Sequence, residues 1–164
     1  MPILRANAFE FISNSPQQTR RVAMRLGMRL GTGMVVGLIG DLGSGKTTFV
    51  QGLAQGWGAL DPVTSPTFIL VNVYRRADGS PFFHLDAYRL KGPTEAWDLD
   101  LPALWDQGPL VVEWADRIAS VLPEDRLSVQ FEWVDELKRR LLFEAHGPQA
   151  TKLVQAVRHD LLGK

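Results

Sequence analysis

Gly40-Asp41-Leu42-Gly43-Ser44-Gly45-Lys46-Thr47 decides the fold, because it satisfies the spacing G-x-x-x-x-G-K-[ST] at every position. An apolar run, Met34-Val35-Val36-Gly37-Leu38-Ile39, leads into it. A helical pattern follows, with Phe49, Val50, Leu53, Ala54 and Trp57 on one face. Strand, glycine-rich loop and helix in that order make the short pattern a P-loop. Backbone N–H groups of Gly43, Ser44 and Gly45 can wrap a phosphate chain only where no side chain blocks the approach. The helix beginning near Lys46 adds free N–H groups and the positive end of its dipole. Lys46 is then placed to reach the β- and γ-phosphates, and the Thr47 hydroxyl to ligate Mg²⁺. The nucleotide-binding set is Asp41, Leu42, Gly43, Ser44, Gly45, Lys46, Thr47 and Thr48.

Outward from this loop, the chain alternates strand and helix signals. Ile3 to Ile12 reads as a first strand, and Ser15-Pro16 as a helix start. Thr19, Val22, Ala23, Leu26 and Leu30 share one helical face, closed by Gly31 and Gly33. Arg21, Arg25 and Arg29 form a stripe on another face, read as a solvated surface or as a contact for a partner or RNA. Gly56 and Gly58 close the P-loop helix, and Asp61 to Thr67 is a loop. Strands Phe68–Tyr74 and Phe82–Asp86 are joined by the turn Ala77-Asp78-Gly79-Ser80-Pro81. A polar segment with two short helical pieces runs from Lys91 to Gly108. Pro109–Glu113 is a buried-type strand, and Asp116 to Leu122 a short helix. Leu127, Val129, Phe131 and Trp133 alternate with polar residues as one arm of a hairpin, and Arg140 to Ala145 is the other arm. A last helix buries Ala150, Leu153, Val154, Val157 and Leu161.

These elements make one α/β domain over residues 1–164, a P-loop NTPase fold. Its central sheet is mostly parallel, with helices on both faces and an antiparallel C-terminal hairpin. The 164 residues are 45% hydrophobic, enough for a full core. Net charge is zero, so no whole-chain field favours nucleic acid. The absence of cysteine excludes disulfides, thiolate zinc sites and a cysteine nucleophile. With no signal pattern and no apolar run near the ~18 residues of a membrane span, the expected location is the cytoplasm, without membrane contact.

A P-loop needs a carboxylate near Mg²⁺ or the attacking water, at the carboxyl end of a strand beside the loop. Asp86 and Glu113 qualify. Glu113 is expected to hold Mg²⁺ together with Thr47, directly or through water, and Asp86 to orient or activate water. Each could instead cap a turn on the rim. Thr67, in Ser65-Pro66-Thr67, could sense a γ-phosphate as switch loops do, or simply join loop to strand. His84 shares a strand face with Asp86 and reads as a site contact or a satisfied structural histidine. No N-K-x-D guanine motif and no L-S-G-G-Q motif occurs, and the 91–108 segment is acidic where a kinase lid is arginine-rich.

Four motifs in order resemble the TsaE (also called YjeE) family: the P-loop through Thr48, Ser65-Pro66-Thr67-Phe68, His84-Leu85-Asp86-Ala87-Tyr88-Arg89-Leu90, and Val112-Glu113-Trp114. The resemblance runs from about Ser15 to about Leu127. It implies an ATPase, slow by itself, with ATP and Mg²⁺ as cofactors. It implies partnership with TsaD and TsaB in the threonylcarbamoyladenosine modification of A37 in tRNAs reading ANN codons, with tRNA met only indirectly or weakly. By position, Lys46, Asp86 and Glu113 are then the catalytic set, Thr47 and Glu113 the metal site, and Ser65, Pro66 and Thr67 the switch-like loop. Glu95-Ala96-Trp97-Asp98-Leu99-Asp100-Leu101-Pro102 departs from the family pattern of an acidic helix and a Leu-Gly-Leu-like turn. A small-molecule kinase and a nucleotide-dependent binding module remain the alternatives to an accessory ATPase.

Overall fold

Strands β1 (Ala8–Ser13), β2 (Val35–Ile39), β3 (Val71–Arg75), β4 (Pro81–Asp86), β5 (Leu110–Glu113), β6 (Arg126–Trp133) and β7 (Arg139–His146) form one sheet in the order β1-β7-β6-β2-β5-β4-β3. The computed structural model describes residues 7–41, 43–63 and 71–163. Leu42, the Ser65-Pro66-Thr67 loop, the start of the expected first strand and the Phe68–Leu70 part of the expected third lie outside them. The four central strands β6, β2, β5 and β4 are mutually parallel. Strands β3, β7 and β1 are added antiparallel at the two edges.

Helices cover both faces. Along β2, Val36 and Leu38 point into one core and Val35 into the other. The first core is closed by α1 (Pro16–Gly27), α2 (Lys46–Trp57) and α5 (Pro148–Leu162). Aromatic packing fills it. Phe9 stacks on Phe143 at 4.5 Å, and fully buried Phe49 meets Phe131 edge-on at 5.3 Å. Burying a Phe this completely stabilises by about 1.5–3 kcal/mol. The second core lies under α3 (Pro93–Trp97), α4 (Leu101–Trp105) and a 3₁₀ segment, Ala115–Val121, kinked at Ile118. Residues 91–108 are therefore less polar in place than in sequence. Ala96 and Leu101 are buried, and Leu99, Leu104 and Trp105 pack against them.

Helix α1 starts as its sequence predicts. The Ser15 hydroxyl accepts from the Gln18 amide at 3.1 Å, with Pro16 in the first turn. It ends at Gly27, earlier than Gly31, where the chain meets α2: a Cβ on Gly27 would lie 2.2 Å from the Leu53 carbonyl oxygen. Another difference is Trp133, expected inward and 60% exposed, because β6 outruns the core there and turns into the β6–β7 hairpin. Among the described residues, no helix is long and apolar enough to cross a membrane.

Candidate functional site

The glycine-rich loop joins β2 to the first turn of α2. Gly43 (φ +75°) and Gly45 (φ +105°) occupy backbone conformations that side chains resist, and a Cβ on either would meet nothing within 4 Å. Open space where a side chain would stand leaves room for a ligand to approach the loop closely. Lys46 is the first residue of α2 and only 5% exposed. Its Nζ donates to the carbonyls of Gly40 (2.5 Å) and Asp41 (2.8 Å) and lies 4.2 Å from the Trp114 ring centroid. Burial pushes the Lys46 pKa down. Glu113, and after it Asp86, Asp41 and Asp116, pull it back up.

The sheet brings the two expected carboxylates together. β4 and β5 are parallel neighbours in a register that sets Asp86 opposite Glu113. Alternation directs Asp86, Glu113 and His84 to the α2 side, the side of Phe82 and Val111. Asp86 also caps the 3₁₀ turn Ala87–Arg89, accepting the Tyr88 amide at 3.0 Å on Oδ1. Asp86 thus both caps this turn and lines the cleft. Glu113 is 5% exposed, and its Oε2 lies 2.5 Å from His84 Nε2. A cleft of about 570 Å³ runs over the loop, lined by Gly43, Gly45, Lys46, Thr47, Thr48, Asp86 and Glu113. Asp41 is exposed beside the loop, and the Ser44 amide donates to its carbonyl at 3.2 Å. The Thr47 hydroxyl and the Asp86 and Glu113 carboxylates are oxygen donors that could hold a hard cation alongside ligand phosphates.

Several lining residues were given no site role by the sequence reading, although Tyr88 and Trp114 lie in the motifs that carry the resemblance and Pro16 marked the start of a helix. Trp114 takes a left-handed backbone (φ 59°, ψ 40°), which reverses the chain after β5 and lays its ring on Lys46. Tyr88 packs on Trp114 at 4.9 Å. Pro16, Leu137 and Arg139 also line the cleft, from the side of β2 that bears β6, β7 and β1. Arg139 donates to the Gly43 carbonyl at 3.2 Å, tying the β6–β7 hairpin to the glycine loop. Arg139 lies one residue before the hairpin arm read from the sequence, Arg140 to Ala145, and sequence distance concealed its contact with the loop.

A family model described as threonylcarbamoyl adenosine biosynthesis protein TsaE matches residues 13–141. The chain belongs to the TsaE family. Among curated TsaE relatives, the Bacillus subtilis protein is 36% identical over 89% of this chain and 92% of its own. That of Streptomyces coelicolor is 43% identical over 69% and 78%, and that of Treponema pallidum 37% over 79% and 96%. Each is described as a tRNA threonylcarbamoyladenosine biosynthesis protein. The crystal structure of Bacillus subtilis YdiB superposes with a TM-score of 0.78 at 31% identity, covering 98% of this chain and 99% of that one. The TsaE match contains all the described cleft residues named above, Arg139 of the hairpin included.

Proposed function

We propose that this chain is a Mg²⁺-dependent ATPase acting as the accessory subunit of TsaD–TsaB in threonylcarbamoyladenosine formation on tRNA. The observation that carries the reading is the pairing of Asp86 and Glu113 on adjacent parallel strands, facing the same cleft as Lys46 and Thr47. Membership of the TsaE family, whose curated relatives carry that biosynthetic description, supplies the tRNA context. One continuous domain with a single nucleotide site fits this role, in the cytoplasm and with tRNA contacted weakly or through the partners.

The cleft suits a nucleoside triphosphate. Open glycine backbone at Gly43 and Gly45 leaves room for phosphate oxygens, and α2 begins at that point. Lys46 would exchange its carbonyl partners for β- and γ-phosphate oxygens, relieving part of its burial cost. Thr47 and Glu113 would hold Mg²⁺, whose bound charge neutralises the phosphates. Among the described residues no three His, Cys, Asp or Glu side chains form a metal cage, so phosphates would complete the shell. With the γ end beside Asp86 and Glu113, the nucleoside points the opposite way, toward Pro16, Leu137 and Arg139. Asp86 has an oxygen left beside its cap to orient water. Water oxygen bonds to the γ-phosphorus, the bond to the β–γ bridging oxygen breaks, and ADP and phosphate leave with the released proton passing to solvent. Hydrolysis would reset the TsaD–TsaB assembly between rounds.

ATP hydrolysis measured with and without purified TsaD and TsaB tests the proposal. The expected result is a slow intrinsic rate that rises with the partners. No hydrolysis under either condition would overturn it.

A further inference from the structure

Tyr74, His84 and Glu113 form a buried chain of hydrogen bonds across three strands. Tyr74 Oη lies 2.9 Å from His84 Nδ1, and His84 Nε2 lies 2.5 Å from Glu113 Oε2. His84 is 0% exposed, Tyr74 3% and Glu113 5%. Asn72 donates to the Tyr74 hydroxyl at 3.4 Å from the same strand, opposite His84 in the β3–β4 register. An imidazole that donates Nε2–H to the Glu113 oxygen has Nδ1 left to accept from the Tyr74 hydroxyl.

The packing alone does not call for a histidine. Residue 84 points into the face of Phe82, where a branched apolar side chain would fill the space without polar cost. The imidazole is satisfied there because β3 supplies the hydroxyl and β5 the carboxylate. Glu113 Oε2 is engaged by His84, which restrains rotation of the carboxylate, and the same residue lines the cleft.

We propose that His84, seated by Tyr74, is a positioning residue that orients the Glu113 carboxylate toward the divalent cation of a bound nucleotide. This rests on the nucleotide reading of the cleft. The chemistry is that of outer-shell partners, which fix ligand orientation and whose loss costs about 10–100-fold in metal affinity or activity. His84 touches neither nucleotide nor metal. Its effect passes through one carboxylate.

The test compares wild type with Tyr74→Phe, His84→Leu and His84→Gln. Metal affinity is read calorimetrically by titrating Mn²⁺ into the ADP-bound protein, ADP affinity is read in EDTA, and kcat and KM for ATP are read at saturating Mg²⁺. His84→Leu is expected to weaken Mn²⁺ binding and lower kcat, each by about tenfold or more. ADP affinity without metal, and KM for ATP, should stay within about twofold. His84→Gln should recover most of the loss, because its amide N–H stands in for Nε2–H. Tyr74→Phe removes one oxygen from the core, and should weaken Mn²⁺ binding by about threefold or more with the fold intact. It therefore decides the matter if His84→Leu fails to fold. If the variants lower only the melting temperature while Mn²⁺ affinity and kcat hold within about twofold, the chain is a core feature and the proposal is wrong. Equal weakening of metal-free ADP binding would also overturn it. Wild-type protein that binds no nucleotide at all would instead overturn the reading of the cleft on which the proposal stands.

Discussion

At the residue scale, one basic and two acidic residues, Lys46, Asp86 and Glu113, share one cleft, and each makes a different contact. Lys46 is held by two carbonyls and by an aromatic ring, with burial lowering its pKa. Lys46→Ala removes the point charge from the phosphate end, so hydrolysis should fall by about 100-fold or more. Asp86→Asn keeps an oxygen for the Tyr88 amide. It should lower kcat more than it weakens ATP binding, because water placement matters mainly in the transition state. Glu113→Gln keeps an oxygen for His84 and should raise the Mg²⁺ needed for half-maximal rate. Steady-state hydrolysis across a Mg²⁺ series separates the three, and a wild-type-like rate in Lys46→Ala would sink the assignment. Local spacing made the loop legible, because all its positions lie within eight residues. The Asp86–Glu113 pair was legible as two strand ends. Tyr74 was not, since its tie to His84 and on to Glu113 spans ten and then 29 positions and depends on strand order.

At the element scale, α1 and α2 cross closely because glycines face the contact. A Cβ on Gly52 would lie 2.4 Å from the Arg20 carbonyl oxygen and 2.6 Å from Ala23 Cβ. One on Gly56 would lie 2.1 Å from the Met24 carbonyl oxygen. The sequence reading took Gly56 and Gly58 together as the helix stop; Gly58 serves that purpose with its left-handed cap, while Gly56 lies inside α2. Gly52→Ala should gain about 1 kcal/mol of helix propensity yet destabilise overall, since backbone must yield to backbone. A thermal melt should show a midpoint lower by roughly 3–10 °C. Gly31→Ala is the control, because nothing lies within 4 Å of its Cβ. The β6–β7 hairpin carries a second prediction. Its register sets Arg139 beside both Trp133 and Ser13, at the end of the sheet that bears the glycine loop. If Leu137 and Arg139 face the nucleoside, Leu137→Asp and Arg139→Ala should weaken ATP by about tenfold and inorganic tripolyphosphate much less. Competitive titration of both ligands checks this, and equal losses would move the nucleoside elsewhere. The alternation of β6 correctly gave Leu127, Val129 and Phe131 as buried, and failed at Trp133 because period alone does not say where the core ends.

At the scale of the whole molecule, the sheet order divides the loop's surroundings between the two sides of the sheet flanking β2. β4 and β5 deliver the carboxylates on one side of β2, while β6, β7 and β1 deliver the hairpin and the start of α1 on the other. Neither side makes the cleft alone. Fold class was legible because the parallel centre follows from a strand–loop–helix start and apolar strands of the right length. The β3–β4 and β6–β7 hairpins were legible from neighbouring strands, but the pairing of β1 with β7 was not, since those partners are remote in sequence. The acidic 91–108 segment stands apart on the second core, and its Trp97 is 71% exposed between Glu95, Asp98 and Asp100. A cycle that couples this cleft to TsaD–TsaB makes a specific demand on turnover. If ATP hydrolysis resets the assembly rather than forming the bond to tRNA, a first round of threonylcarbamoylation can proceed while later rounds stall. Counting modified tRNA per TsaD over time should give many turnovers with the wild-type chain. Asp86→Asn and Glu113→Gln should give about one turnover, with the same initial burst. Sustained turnover with both variants would make these carboxylates structural members of the rim. A wild-type chain that leaves turnover unchanged would remove it from the modification cycle, and ATP consumption would then be screened against small-molecule phosphate acceptors.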